Sequence, residues 1–257
     1  MTLDAGLLAA LPAWAFALIL VLSRVGGVCM LLPGLGEAEV PMNIRAGATL
    51  AFTVLLLPAL QPGLPAMPEN PFRLGGLLAG EILCGLWLGW LARLPMLALP
   101  MAGQLAAGAL GLSNVLQPDP TLGPQTSAIS RLFALAAPAI LLASGLYALP
   151  LRALVQSYRV IPPGVWLPAG DLAQRITATV GESFELAMQL AGPFIAGGLI
   201  WQVALGVLAR LVPQLQVYFA AMPGQILGGL LLLALFSLGV LQTWQAAMAE
   251  LSFGLAP

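Results

Sequence analysis

Four charged side chains lie inside or against long apolar runs, which makes Arg24, Glu81, Arg93 and Arg210 the residues best placed to do chemistry. A charge at mid-bilayer costs about 2.5–3.5 kcal/mol on insertion scales, so each should face water or another protein surface. For Arg93 and Arg210 a simpler reading is snorkelling at a helix end. Arg24, with apolar sequence on both sides, has no such exit. Glu182 and Glu185 are the closest approach to a paired-carboxylate site. Near the start of a predicted helix they read instead as acids that favour the helix dipole. There is no histidine, so the commonest general base, proton shuttle and metal ligand is missing. Cys29 and Cys84 sit far apart within apolar segments and read as small core hydrophobes.

The elements that must hold these residues are built for lipid or for burial by protein. Residues 211–249 form an uncharged run of 39, and 186–209 another of 24, with Arg210 alone between them. Sixty per cent of the 257 residues are hydrophobic and 7% are charged, against about a quarter charged in soluble domains. This is an integral membrane or membrane-complex protein, read as a single membrane domain over 1–257. Its net charge of −1 lacks the basic footprint of a nucleic-acid binder. Asp4 precedes the first apolar run and no basic residue precedes Arg24, so the pattern of a removable signal peptide is missing.

About 20 apolar residues make one membrane-crossing helix. Uncharged or nearly uncharged blocks of that order occupy 11–32, 46–60, 74–94, 100–116, 128–151, 186–211 and 223–248. The third and fourth fuse if one helix passes through Pro95 and Pro100 with a kink. The expectation is an all-α polytopic protein of six or seven kinked, Gly/Pro-rich apolar helices, with no sheet. The connections 33–45, 61–73 and 156–175 are rich in Pro and Gly. A fourth, 111–131, carries Ser, Asn, Gln, Thr and one carboxylate, and as irregular backbone it needs water, a protein interior or a pore. Arginines fall in successive connections, so basic-residue asymmetry leaves the topology undetermined.

Small residues recur at helical spacing: Gly103, Ala107 and Gly111; Gly85 and Gly89; Gly224 and Gly228. Such faces let helices approach closely where lipid supplies no hydrophobic drive. They are too many for a compact monomer of six or seven helices to use up, which predicts a chain poorly stable by itself. Two classes compete on these grounds: a polytopic transporter with a midplane site, and a structural subunit of a larger pore. A transporter of this size would show an internal repeat, and none is evident.

Longer strings resolve the choice. Residues 209–224, ARLVPQLQVYFAAMPG, resemble the R-x-x-P-Q signature, with its downstream aromatic and proline, of the flagellar biosynthetic FliR family. Residues 103–164 are similar to that family in order: a Gly-rich helix, a G-L-S turn, a D-P loop, an apolar helix and a closing S-x-x-x-x-P-x-G. Arg24, Pro33, Gly36, Val40, Pro41 and Arg45 fall in the family's arrangement near the N-terminus. One departure is Gly145-Leu146, where family members often carry Gly-His.

The resemblance implies a structural subunit of the flagellar type III export gate in the bacterial inner membrane, within the basal body. FliP and FliQ subunits would join it in a helical pore of kinked hairpins, with the export-switch protein FlhB as a further partner and unfolded exported proteins as cargo. It implies no catalysis and no cofactor. The loop carrying Gly111, Ser113, Asn114, Gln117, Asp119 and Pro120 would close the pore. Arg24, Arg45, Gly103, Ala107, Arg210, Pro213, Gln214 and Pro223 would serve subunit interfaces. The alternatives are the homologous subunit of a virulence injectisome and, out of class, a small-molecule transporter.

Overall fold

The computed structural model describes residues 2–113, 126–165, 169–212 and 217–250. Among the described residues there are seven α-helices and no strand. They are α1 (Thr2–Leu31), α2 (Met42–Leu60), α3 (Pro71–Ala109), α4 (Ala128–Ala143), α5 (Ala148–Val160), α6 (Ala169–Leu211) and α7 (Val217–Glu250). Five are long and apolar enough to cross a membrane, or six if α4 and α5 count as one broken span.

The blocks 74–94 and 100–116 are one helix, α3, which passes through Pro95 and Pro100. Each proline removes one helical donor, and the carbonyls of both accept extra ones. Ser130 Oγ donates to Pro100 O at 2.8 Å and Trp244 Nε1 to Pro95 O at 3.4 Å. The helix stops at Ala109, short of 116, because Gly111 takes a left-handed φ of +70°. The block 128–151 is not continuous: residues 144–147 interrupt it, and Gly145 is left-handed at +75°. The connection expected over 156–175 is shorter, since α5 runs to Val160 and α6 begins at Ala169. This corrects the reading of Glu182 and Glu185. They lie well inside α6 and cap nothing, while Asp171 occupies the first turn, where the dipole favours an acid. Asp171, Arg175, Glu182 and Glu185 are all exposed, which is how a helix that is apolar further on carries them.

The chain divides into two compact units. The first contains α1, α2, α3 up to Arg93, α5 and the start of α6; the second contains α3 from Leu94, α4, the rest of α6 and α7. In the first, Val21, Val25, Val28 and Cys29 of α1 pack with Leu57 of α2, Cys84 and Leu88 of α3, and Leu154 and Tyr158 of α5. Glycine sets how closely α1 and α3 approach. A Cβ on Gly85 would strike the Arg24 carbonyl, and one on Gly89 would come 3.0 Å from the Val28 carbonyl. In the second unit Leu99, Ala102, Ala106, Phe133, Leu141, Phe194 and Trp244 are buried. Phe194 and Phe236 meet edge to face at 6.3 Å, a favoured aromatic geometry.

Two of the three small-residue faces are therefore used within the chain. Gly85 and Gly89 serve α1, while Gly103 leaves room for Ser130 and Phe133 of α4 and Ala107 is fully buried. The third remains largely open: among the described residues Gly224 meets only Trp201, and Gly228 has nothing within 4 Å of where a Cβ would stand.

Candidate functional site

The first unit has a charged centre. Arg24 of α1 is 1% exposed, and its guanidinium grips Glu81 of α3 with two bonds, Nε to Oε2 at 2.7 Å and Nη2 to Oε1 at 3.0 Å. Nη1 donates to the carbonyl of Ile161 at 3.0 Å and to Ser157 Oγ at 3.3 Å, and the group lies 4.2 Å from the Tyr158 ring centroid. One side chain thus ties α1 to α3 and to the end of α5, its charge matched by a carboxylate and its N–H groups by neutral acceptors. Buried charges persist only when so paired. Arg24, expected at a subunit interface, is thus engaged within its own chain.

The second unit frames the polar segment. At the exit from α3, Leu112 N–H donates to Ala107 O at 2.9 Å and Gly111 N–H to Gly108 O at 3.2 Å. With Gly111 left-handed this is the six-to-one and five-to-two pattern of a Schellman cap. Leu112 is buried against Gly229 of α7, and Gln225 Nε2 donates to the Leu110 carbonyl at 3.1 Å. On the return, Ser127 caps α4 by accepting the Ser130 N–H at 3.2 Å. Its own N–H donates to Gln104 Oε1 on α3 at 2.9 Å. The chain on either side of 114–125 is therefore pinned to α3, and on the exit side to α7 as well. Gly111 and half-buried Ser113 belong to this frame. Asn114, Gln117, Asp119 and Pro120 lie outside the described residues.

The remaining expected interface residues are dispersed. Arg45 holds its own turn, donating from Nη2 to the carbonyls of Glu37 at 2.6 Å and Val40 at 3.0 Å. Arg93 braces the same turn through Gly36 O at 3.2 Å and Glu37 Oε2 at 3.4 Å. Gly103 is closely approached by α4, and Ala107 is fully buried. Arg210, in the last turn of α6, and Pro223, inside α7, are exposed. Pro213 and Gln214 lie outside the described residues. Sequence reasoning missed Gln104, Ser127, Ser157, Tyr158 and Gln225. The Ser127-x-x-Ser130 spacing was a readable cap signal; the other four are polar groups whose partners are distant in sequence.

Residues 15–251 match the family model of bacterial export proteins, family 1. The chain is 32% identical to the flagellar biosynthetic protein FliR of Caulobacter vibrioides, over 90% of its own length and 92% of that protein's. The chain belongs to the FliR family of bacterial export proteins. Identity is 27% to FliR of Bacillus subtilis and 28% to the secretion system apparatus protein SsaT of Salmonella typhimurium, each over 82% of both chains. As a FliR-family protein the chain is an integral membrane subunit of the flagellar type III export gate. The secretion-apparatus relative belongs to the same family, so the injectisome alternative is a variant of this reading.

Proposed function

We propose that this chain builds, with FliP- and FliQ-family subunits, the inner-membrane pore through which unfolded flagellar proteins leave the cytoplasm, with an FlhB-type switch protein docking on the assembly. It acts as a structural part and not as a catalyst. The loop 111–131 helps to close the pore. The supporting observation is the frame at its two ends: a polar stretch in an otherwise apolar chain, tied on both sides to buried, capped helix ends. Exposed apolar side chains agree with assembly in a membrane. Leu199, Ile200, Val203 and Val207 on α6 and Leu227, Leu231, Leu235 and Leu238 on α7 form faces that need lipid or protein cover.

Co-expression with FliP and FliQ partners is expected to give a fixed-stoichiometry complex that survives detergent and melts well above the isolated chain in the same detergent. A lone chain melting as high as the complex would favour the transporter reading.

A further inference from the structure

Helix α5 turns one face inward and leaves the other without partners among the described residues. Pro150, Ala153, Leu154, Ser157 and Tyr158 are buried, and Arg24 fastens this side through Ser157, Ile161 and the Tyr158 ring. The outward side bears a shallow cleft of about 500 Å³ lined by Ala148, Leu151, Arg152, Val155, Gln156 and Arg159. Arg152 and Arg159 are exposed, and neither has an ion pair or hydrogen bond among the described residues. The helix has no acidic residue of its own. Arg159 sits in the last turn, where a cation favours the helix dipole. Arg152, near the other end, gains nothing from the dipole.

We propose that this face of α5 binds an anionic phospholipid, its phosphate held between Arg152 and Arg159 with Gln156 as a further donor. Arg159 lies seven positions after Arg152, about 10.5 Å along a helix axis, a gap that two long side chains close around one phosphate from either end. Guanidinium groups match phosphate geometry and remain charged in a low-dielectric setting. The choice of a lipid over a soluble anion follows from the residues between the arginines. Leu151 and Val155 present aliphatic surface, and exposed Val160 extends it. An occupant must therefore offer an anion and an apolar chain together. With 13 residues α5 spans about 20 Å, too short to cross a hydrocarbon core, and a basic amphipathic helix of this kind suits the headgroup layer. The proposal needs membrane residence only and is independent of which partners complete the pore.

The test places the full-length chain in nanodiscs of phosphatidylcholine with and without phosphatidylglycerol, and counts lipids retained on extraction by native mass spectrometry. Wild type should retain phosphatidylglycerol selectively. Arg152→Gln with Arg159→Gln should lower that retention roughly thirtyfold, as befits two basic groups at an anionic surface, while Arg152→Lys with Arg159→Lys keeps most of it. Arg73→Gln with Arg175→Gln, also exposed, should change nothing. A photoactivatable phosphatidylglycerol should label peptides covering 148–160 in the wild-type chain, a readout that needs no variant to fold. Absence of label there overturns the proposal, as does equal retention in the glutamine pair or equal loss in the Arg73 and Arg175 control. Unchanged lipid retention with loss of a co-purifying subunit would assign the face to an acidic protein partner and overturn it as well.

Discussion

Removing Glu81 alone should cost much more than removing both members of the Arg24–Glu81 pair, and the two single losses should be unequal. Glu81→Leu leaves a guanidinium that is 1% exposed, cannot deprotonate, and keeps only a hydroxyl, one carbonyl and a ring as neighbours. Breaking a buried pair in this way costs about 3–5 kcal/mol. Arg24→Leu leaves a carboxylate with better options. Glu81 also lines a cavity of about 690 Å³ bounded by Pro65, Phe72, Arg73 and Pro163, where water can reach it. The remaining loss is the unpaired Ile161 carbonyl, about 1–3 kcal/mol. The double variant removes both charges and should cost no more than Arg24→Leu alone, a coupling of roughly 3 kcal/mol or more. Reversible unfolding of all four chains in mixed detergent micelles gives the cycle. Single losses that simply add, or Glu81→Leu costing under about 1 kcal/mol, would refute the picture of a desolvated, mutually dependent pair.

The glycine argument predicts opposite signs at two nearby positions: Gly85→Ala, pressed on the Arg24 carbonyl, should lower stability, while Gly80→Ala, which has open space among the described residues, should hold it or raise it by up to about 1 kcal/mol in reversible unfolding. Deleting 114–124 should make membranes leaky to small solutes in a dye-release or conductance assay, with the complex still recovered. Normal conductance in an intact complex would remove the closing role. Arg210→Leu should reduce recovery of the chain with its partners, because an exposed arginine ending α6 offers donors to a neighbour's carbonyls or carboxylates. Wild-type recovery and export would reduce Arg210 to a snorkelling anchor.

Membrane character and helix number were legible because they rest on local signals, runs of apolar residues and the absence of charge. Passage of α3 through Pro95 and Pro100 was readable as a kinked continuation. Two boundaries were hidden for physical reasons. The break at 144–147 falls in an uncharged run, and only the left-handed Gly145 marks it. The start of α6 looked like a loop because its charges are solvated on a helix surface. Arg24 was conspicuous, yet its partner Glu81 is 57 residues away, a separation no periodicity encodes. The Gly103 and Ala107 face was correctly read as a close-packing surface; that the chain itself would cover it depends on tertiary placement.

The same ion pair sets an order of events during synthesis. Arg24 emerges from the ribosome in α1, and its carboxylate follows 57 residues later. At roughly 5–20 residues per second the gap lasts about 3–11 s. Throughout that interval the first helix carries an uncompensated cation, at a cost of about 2.5–3.5 kcal/mol in the bilayer centre. The Ser157 and Ile161 acceptors come later still. Deep placement of α1 in lipid therefore carries this penalty until α3 arrives to neutralise Arg24. The arrival of α3 thus relieves a cost borne by α1, which couples the insertion of the two spans.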